Sequence, residues 1–150
     1  MFAGLGSAAF DFYGGDRPGK NLFANCVIAI DGKTGKRVWH FQTLHHDVWD
    51  HDLPIYPNLV TVNHDGKKID AVAQVTKTGY VFLLDRESGK PLFEVKETPV
   101  PQTDVDGEVT WPTQPIPVKP PPFCRTTFTK DDVTDIAPVS YTHLTLPTKA

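Results

Sequence analysis

An internal repeat limits this chain to a small number of folds. Residues 29–39 (AIDGKTGKRVW) align with residues 83–93 (LLDRESGKPLF) at an offset of 54 residues, sharing an aspartate, a hydroxyl residue, a glycine, a lysine, an aliphatic and an aromatic. Similarity at a period near 50 residues is typical of β-propeller blades, which need neighbouring blades to cover their faces. Two unrelated turns that both favour Asp-x-x-(Ser/Thr)-Gly are the alternative. Because two blades do not close a propeller, the repeat predicts a fragment of a larger protein.

Short runs of β-branched and aromatic residues, separated by Gly, Asp and Asn clusters, predict an all-β chain. Residues 27–30 and 37–42 fit one hairpin, closed by a turn at 31–35. Residues 71–75 and 80–84 fit a second hairpin around Lys77-Thr78-Gly79. The 14 Pro and 11 Gly would interrupt regular structure often, so long helices are not expected.

The composition changes between Pro99 and Pro122, which include eight prolines and little periodicity. We expect an extended connection, and its apolar residues favour a long loop lying on a propeller face over a domain linker. Residues 139–150 do not continue the repeat and resemble translated adapter sequence, so the predicted domain is 1–138 and the rest is treated as a non-native tail.

Charge and hydropathy exclude several classes of partner. The net charge of −3 and pI of about 6.0 give no basic excess for nucleic acid. The longest apolar run, residues 80–84, is too short to cross a bilayer, and the first residues lack the order of a signal peptide. Cys26 and Cys124 do not make a disulfide framework and lack metal-ligand spacing.

Chemically active side chains concentrate in residues 45–52, which we call the His/Asp segment. It contains three imidazoles, three carboxylates and one indole: His45, His46, Asp47, Trp49, Asp50, His51 and Asp52. In an extended conformation Asp50 and Asp52 would share one face and His51 the other. Carboxylates favour a hard ion such as calcium, whereas the imidazoles would suit zinc. A solvated polar loop anchored by Trp49 is the alternative.

Lys77 is the second candidate, since it stands at a hairpin tip between two strongly apolar strands. Its ammonium group could belong to a functional site. Alternatively, its aliphatic stem could pack on apolar surface while the charged end reaches water.

These motifs together resemble the propellers of quinoprotein dehydrogenases. Ala29-x-Asp31-x-x-Thr34-Gly35-x-x-x-Trp39-x-x-Gln42 resembles their tryptophan-docking motif, and His46-Asp47-x-Trp49-Asp50 is similar to their active-site strand. When residues 12–17, 76–79 and 84–90 are included, the chain most resembles the membrane-type glucose dehydrogenase branch of that family. The resemblance covers roughly residues 4 to 137. These enzymes use pyrroloquinoline quinone (PQQ).

The resemblance implies an eight-bladed, periplasmic propeller that holds PQQ over a divalent cation, usually calcium. By position, Asp50 resembles the catalytic carboxylate that also touches the metal, and Lys77 the basic residue that hydrogen-bonds the quinone oxygens. Ser7 stands where many relatives place an asparagine metal ligand, and a serine hydroxyl is a weaker, shorter oxygen ligand.

The expected function follows from that resemblance. The chain would be a fragment, inactive by itself, of an oxidoreductase that transfers hydride from an alcohol or the anomeric hydroxyl of a sugar to bound PQQ, with a quinone or cytochrome as electron acceptor. Membrane association would come only through parts outside this chain. One alternative is a non-catalytic propeller that binds proteins. Another is a small zinc-binding β protein using His45, His46 and His51.

Overall fold

The computed structural model describes residues 1–127 and 129–132, and in them the chain is all-β as predicted. Its only helical element there is one turn of 3-10 helix at Lys130–Asp132. The eight strands are β1 (Phe2–Gly4), β2 (Cys26–Ile30), β3 (Arg37–Gln42), β4 (Asn58–His64), β5 (Lys67–Val75), β6 (Val81–Asp85), β7 (Val95–Pro99) and β8 (Thr113–Pro117).

The strands form three antiparallel sheets, in the orders β1-β2-β3, β4-β5-β6 and β7-β8. Both predicted hairpins are confirmed: β2 pairs with β3, placing Ala29 opposite Trp39, and β5 pairs with β6, placing Ala73 opposite Leu83. Strands β1 and β4 add a third strand to each hairpin and were not predicted. The core lies where the first two sheets meet, and its buried members are Val27, Ala29, Trp39, Leu53, Val72, Phe82 and Leu84.

The two repeated turns have the same hydrogen bonds, which confirms that the sequence repeat is a structural one. In the first turn the Asp31 carboxylate accepts from the Thr34 amide (2.8 Å) and hydroxyl (2.9 Å). In the second, the Asp85 carboxylate accepts from the Ser88 amide (2.8 Å) and hydroxyl (2.7 Å). These bonds favour the ionised carboxylates, so the pKa of Asp31 and that of Asp85 lie below the usual range.

Trp39 joins the first sheet to the second. Its ring is almost fully buried, and its Nε1 donates a hydrogen bond to the Arg86 carbonyl (3.1 Å), 47 residues away. The ring lies directly against Gly89, where a Cβ atom would come within 2.5 Å of the indole. Gly89 also has a φ of 71°, so this position requires glycine both for its backbone and for the close approach of the ring.

The expectation of a long loop at Pro99–Pro122 is wrong in part. Strand β8 lies inside that range and pairs with β7, with Val95 opposite Pro117 and Pro99 opposite Thr113. A strand tolerates proline at positions where a backbone N–H would not donate to the neighbouring strand. Each strand of this two-stranded sheet pairs on one side only, so its other edge offers such positions. Only residues 100–112 form the connecting loop. The expectation of a non-native tail at 139–150 lies outside the described residues.

The faces and edges of the first two sheets remain partly uncovered. Val38 on β3 and Leu59 on β4 are 61% and 56% exposed, and isolated strands of this kind expose apolar surface that neighbouring blades would cover. These uncovered faces agree with the partial propeller expected from the sequence. None of the helical structure in the described residues is long and apolar enough to cross a membrane.

We predict that Gly89→Ala destabilises the complete protein because its new Cβ must displace the Trp39 ring. Gly66→Ala is the matched control, since Gly66 also has a positive φ (75°) but a Cβ added there would meet no other atom within 4 Å. Overpacking costs about 1–3 kcal/mol beyond the backbone penalty that both variants share. The apparent melting temperature of Gly89→Ala should therefore be clearly below that of Gly66→Ala, and equal values would contradict the docking of Trp39.

Candidate active site

The structure brings Asp50 and Lys77 together although they lie in loops that adjoin different sheets. Lys77 lies at the tip of the β5–β6 hairpin, and Asp50 follows β3. The Lys77 Nζ donates to the backbone carbonyl of Asp50 (2.7 Å) and lies 3.3 Å from its Oδ2. The two side chains are 36% and 40% exposed, so the pair faces open space. The lysine therefore binds an aspartate rather than only placing its charge in water.

The His/Asp segment is not extended, and the alternation expected for it does not apply. His46 and Asp50 have φ values of 45° and 54°, in the left-handed region, so the chain reverses within the segment. A solvated loop anchored by Trp49 is also wrong, since Trp49 is 73% exposed. His45, His46 and Asp47 are the buried members of the segment.

Asp47 lies at the centre of the segment and is buried. Its carboxylate accepts hydrogen bonds from the amides of Trp49 (2.9 Å) and His51 (2.6 Å), the Nδ1 of His51 (3.1 Å), the Nδ2 of Asn25 (3.1 Å) and the hydroxyl of Ser7. Burial by itself would raise the pKa of Asp47. The opposing hydrogen bonds, led by those from His51 and Ser7, hold that pKa far below its usual range.

The three imidazoles point to different partners. His45 bonds Gln42 (3.0 Å) and Glu97 (2.9 Å), His46 bonds the Gly19 carbonyl (2.7 Å), and His51 bonds Asp47. Within residues 1–127 and 129–132, no group of three or more His, Cys, Asp and Glu side chains is arranged to hold a metal ion. The alternative of a zinc site built from these histidines has no support in this part of the chain.

Ser7 reaches the His/Asp segment through Asp47 and Asp52. Its hydroxyl donates to Asp47 and accepts from Asn25 (3.1 Å), and its amide donates to the Asp52 carboxylate (2.5 Å). A Cβ at the preceding Gly6 would come within 2.6 Å of that carboxylate, so a larger residue there would require the Asp52 side chain to move. The structure thus places Ser7 beside the segment that carries Asp50.

Two residues that hold the segment were not singled out in the sequence. Asn25 is fully buried, and its Nδ2 donates to Ser7, to Asp47 and to the His51 carbonyl (3.0 Å). Arg17 donates from Nη2 to the Asp47 carbonyl (2.5 Å). The only sequence signal for Arg17 was its place in the family-like stretch 12–17, and no local pattern marked Asn25.

A cavity of about 660 Å³ opens beside the segment, and most of its exposed lining is apolar. One wall comes from the His/Asp segment, including Trp49 and His51, and the other from the loop after β7, including Trp111. Glu108 ties this loop to the N-terminal part of the chain by accepting a hydrogen bond from the Gly14 amide (2.7 Å). A cavity of this size accommodates a small organic molecule.

Comparisons with known proteins agree with the fold and with these motifs. A family model described as "PQQ: Glucose/ethanol/alcohol dehydrogenase, beta-propeller domain" matches residues 1–146. The quinoprotein glucose dehydrogenase of Gluconobacter oxydans is 43% identical over 118 residues, which are 77% of this chain and 15% of that protein. The quinate/shikimate dehydrogenase (quinone) of Acinetobacter baylyi is 38% identical over 140 residues, which are 92% of this chain and 17% of that protein.

Among solved structures, the quinohemoprotein alcohol dehydrogenase of Comamonas testosteroni matches with a TM-score of 0.58 and 27% identity. That match covers 79% of this chain and 18% of the other. The chain is thus a segment of a dehydrogenase propeller, and it belongs to the PQQ-dependent glucose/ethanol/alcohol dehydrogenase family. It spans 15% to 18% of the length of the relatives named here, so it corresponds to a small part of such a protein.

Proposed function

We propose that this chain is the part of a PQQ-dependent dehydrogenase that supplies its proton-accepting carboxylate and a cofactor-binding lysine. The complete enzyme would oxidise an alcohol or the anomeric hydroxyl of a sugar. The observation that carries the proposal is the contact of Lys77 with Asp50 across two blades, in a chain of this family. A non-catalytic scaffold has no reason to bring a lysine and a carboxylate together at an open face.

The pair has the free hydrogen-bonding capacity that a quinone cofactor and a substrate need. An ammonium group has three N–H donors. Among the described residues Lys77 uses them only on Asp50, and the Asp50 Oδ1 accepts no hydrogen bond. Lys77 therefore keeps a donor for a carbonyl oxygen of PQQ, and Asp50 keeps an acceptor for a hydroxyl proton.

These residues would divide the chemistry between them. A bound PQQ would supply the hydride acceptor for this reaction. Removing a hydride from a carbinol carbon requires that the hydroxyl proton leave as well, and the Asp50 carboxylate would accept it. The Lys77 ammonium would stabilise negative charge that develops nearby. The protein's part is thus orientation and charge.

A divalent cation, for which calcium is our proposal, would bind at the same place. Calcium prefers oxygen ligands, and the unshared Oδ1 of Asp50 is one. The Ser7 hydroxyl donates to Asp47 and accepts from Asn25, which leaves one lone pair for a cation. Further ligands would come from parts of the protein outside this chain.

We infer the setting of the enzyme from its family. The propeller would have eight blades and act in the periplasm, with a quinone or a cytochrome as electron acceptor. Relatives named for glucose and for quinate or shikimate are both similar to this chain, so the substrate proposed here is a hydroxyl compound of that broad class.

Lys77→Ala should weaken PQQ binding and slow reduction of the bound cofactor in the complete enzyme. It removes a positive charge and a hydrogen-bond donor from the place where negative charge develops, and loss of one such donor typically lowers the rate about 10²- to 10³-fold. PQQ titration in calcium followed by single-turnover reduction measures both effects. Lys67→Ala, at the exposed start of β5, is the control. Unchanged affinity and rate for Lys77→Ala would remove Lys77 from the site.

Asp50→Asn should nearly abolish turnover while the propeller stays folded, because asparagine keeps the shape and removes the base. General-base catalysis is worth about 10²- to 10⁴-fold, so kcat per PQQ-loaded site should fall by at least the lower of these factors. Asp65→Asn in the exposed β4–β5 turn is the control. A kcat within a few-fold of the parent would show that Asp50 is not the base.

A further inference from the structure

We propose that Asp47 is a positioning residue for this reaction: its buried carboxylate holds the His/Asp segment in the conformation that presents Asp50 beside Lys77. The inference rests on the proposed function, because it matters only if Asp50 accepts the substrate proton. Asp47 itself is almost fully buried.

The local geometry shows how one carboxylate fixes the backbone around Asp50. The Trp49 amide donates to Oδ1 of Asp47 (2.9 Å), and the His51 amide donates to Oδ2 (2.6 Å). These are the amides of the residues immediately before and after Asp50. Asp50 adopts a φ of 54°, which non-glycine residues seldom adopt unless the surroundings impose it. Asp47 imposes it by binding the chain on both sides.

Contacts from the rest of the blade fix Asp47 in turn. Ser7 and Asn25 donate to its carboxylate from the chain before β2, and Arg17 donates to its carbonyl oxygen. Asn25 is fully buried and also donates to the His51 carbonyl (3.0 Å). The segment is therefore attached to the chain between β1 and β2 at several points, and most of these attachments are made to Asp47.

Its full set of donors distinguishes Asp47 from a metal ligand. Oδ1 accepts from the Trp49 amide and the His51 imidazole, and Oδ2 from Ser7, Asn25 and the His51 amide. A cation could reach either oxygen only by displacing buried donors. An asparagine in place of Asp47 would not serve as well, since its NH₂ group would face some of these donors and leave them without an acceptor. Each buried donor left in that way is destabilising, because it loses its hydrogen bond and remains away from water.

The experiment compares Asp47→Asn with the parent in the complete, PQQ- and calcium-loaded enzyme. A misplacement of about 1 Å can lower a rate about 10²-fold, so we expect kcat per loaded site to fall about 10- to 100-fold. KM and the PQQ affinity, measured separately by fluorescence titration, should stay within about threefold, because the proposed function places PQQ and the substrate at Lys77 and Asp50 rather than at Asp47. Asp31→Asn, which also removes a hydrogen-bonding carboxylate but in the exposed β2–β3 turn, should keep the parental kcat.

A second variant decides the case if Asp47→Asn does not load PQQ. His51→Ala deletes the imidazole bond to Asp47 but keeps the His51 amide, and its side chain is only partly buried. We expect a smaller loss of kcat with unchanged PQQ affinity. Where both variants load, their effects should be non-additive in the double variant, because they act on the same contact.

Two results would overturn the inference. One is parental kcat per loaded site in Asp47→Asn, even with a lower melting temperature, since that is the effect of a merely structural residue. The other is parental kcat in His51→Ala when Asp47→Asn does not load. The proposed function fails separately, by activity retained in Asp50→Asn. An inactive Asp50→Asn beside a fully active Asp47→Asn would remove only the positioning role.

Discussion

The contact of Trp39 with the turn at Gly89 sets the relation between the first two sheets, and the site depends on that relation. Trp39 lies on β3, the strand that leads into the His/Asp segment, whereas Gly89 follows β6, the partner of the strand that leads to Lys77. The indole donates to the Arg86 carbonyl and packs in the shared core. One side chain thus links the parts of the chain that carry the two halves of the site, and its docking buries an aromatic ring in the shared core.

The polar groups of the proposed site differ in burial, and we propose a different task for each. Asp47 is enclosed by donors and holds the backbone, whereas Asp50 and Lys77 stay partly exposed and keep free hydrogen-bonding capacity. An ion pair as exposed as Lys77 with Asp50 contributes only about 0–1 kcal/mol to stability. The pair thus adds little to the stability of the fold, which is consistent with the binding and catalytic role that we propose for it.

Sequence reasoning found the parts of the fold that local chemistry determines. The turns at Asp31 and Asp85 and the two hairpins follow from residues close together in the chain, and the structure confirms them. Strands β1 and β8 were not predicted: β1 has only three residues, and the prolines of β8 are typical of a loop. Their pairing depends on contacts with distant partners, which a single-sequence pattern does not reveal.

The same limit applies to the site, where Asp50 and Lys77 were selected by family resemblance and by position, but their contact depends on how two blades pack. The role of Asp47 could not be read from the sequence, since Ser7 and Asn25 lie 40 and 22 residues away from it. The pattern of alternating faces failed because hydrogen bonds to Asp47 turn the segment out of the extended conformation.

The most direct test is an experimental structure of the complete protein with PQQ and calcium bound. We expect that Lys77 Nζ and the Asp50 carboxylate remain neighbours, as they are at 3.3 Å here, and that both lie within hydrogen-bond or ligand distance of the bound cofactor and cation. A structure in which PQQ binds elsewhere, or in which the blades separate these two side chains, would contradict the central claim.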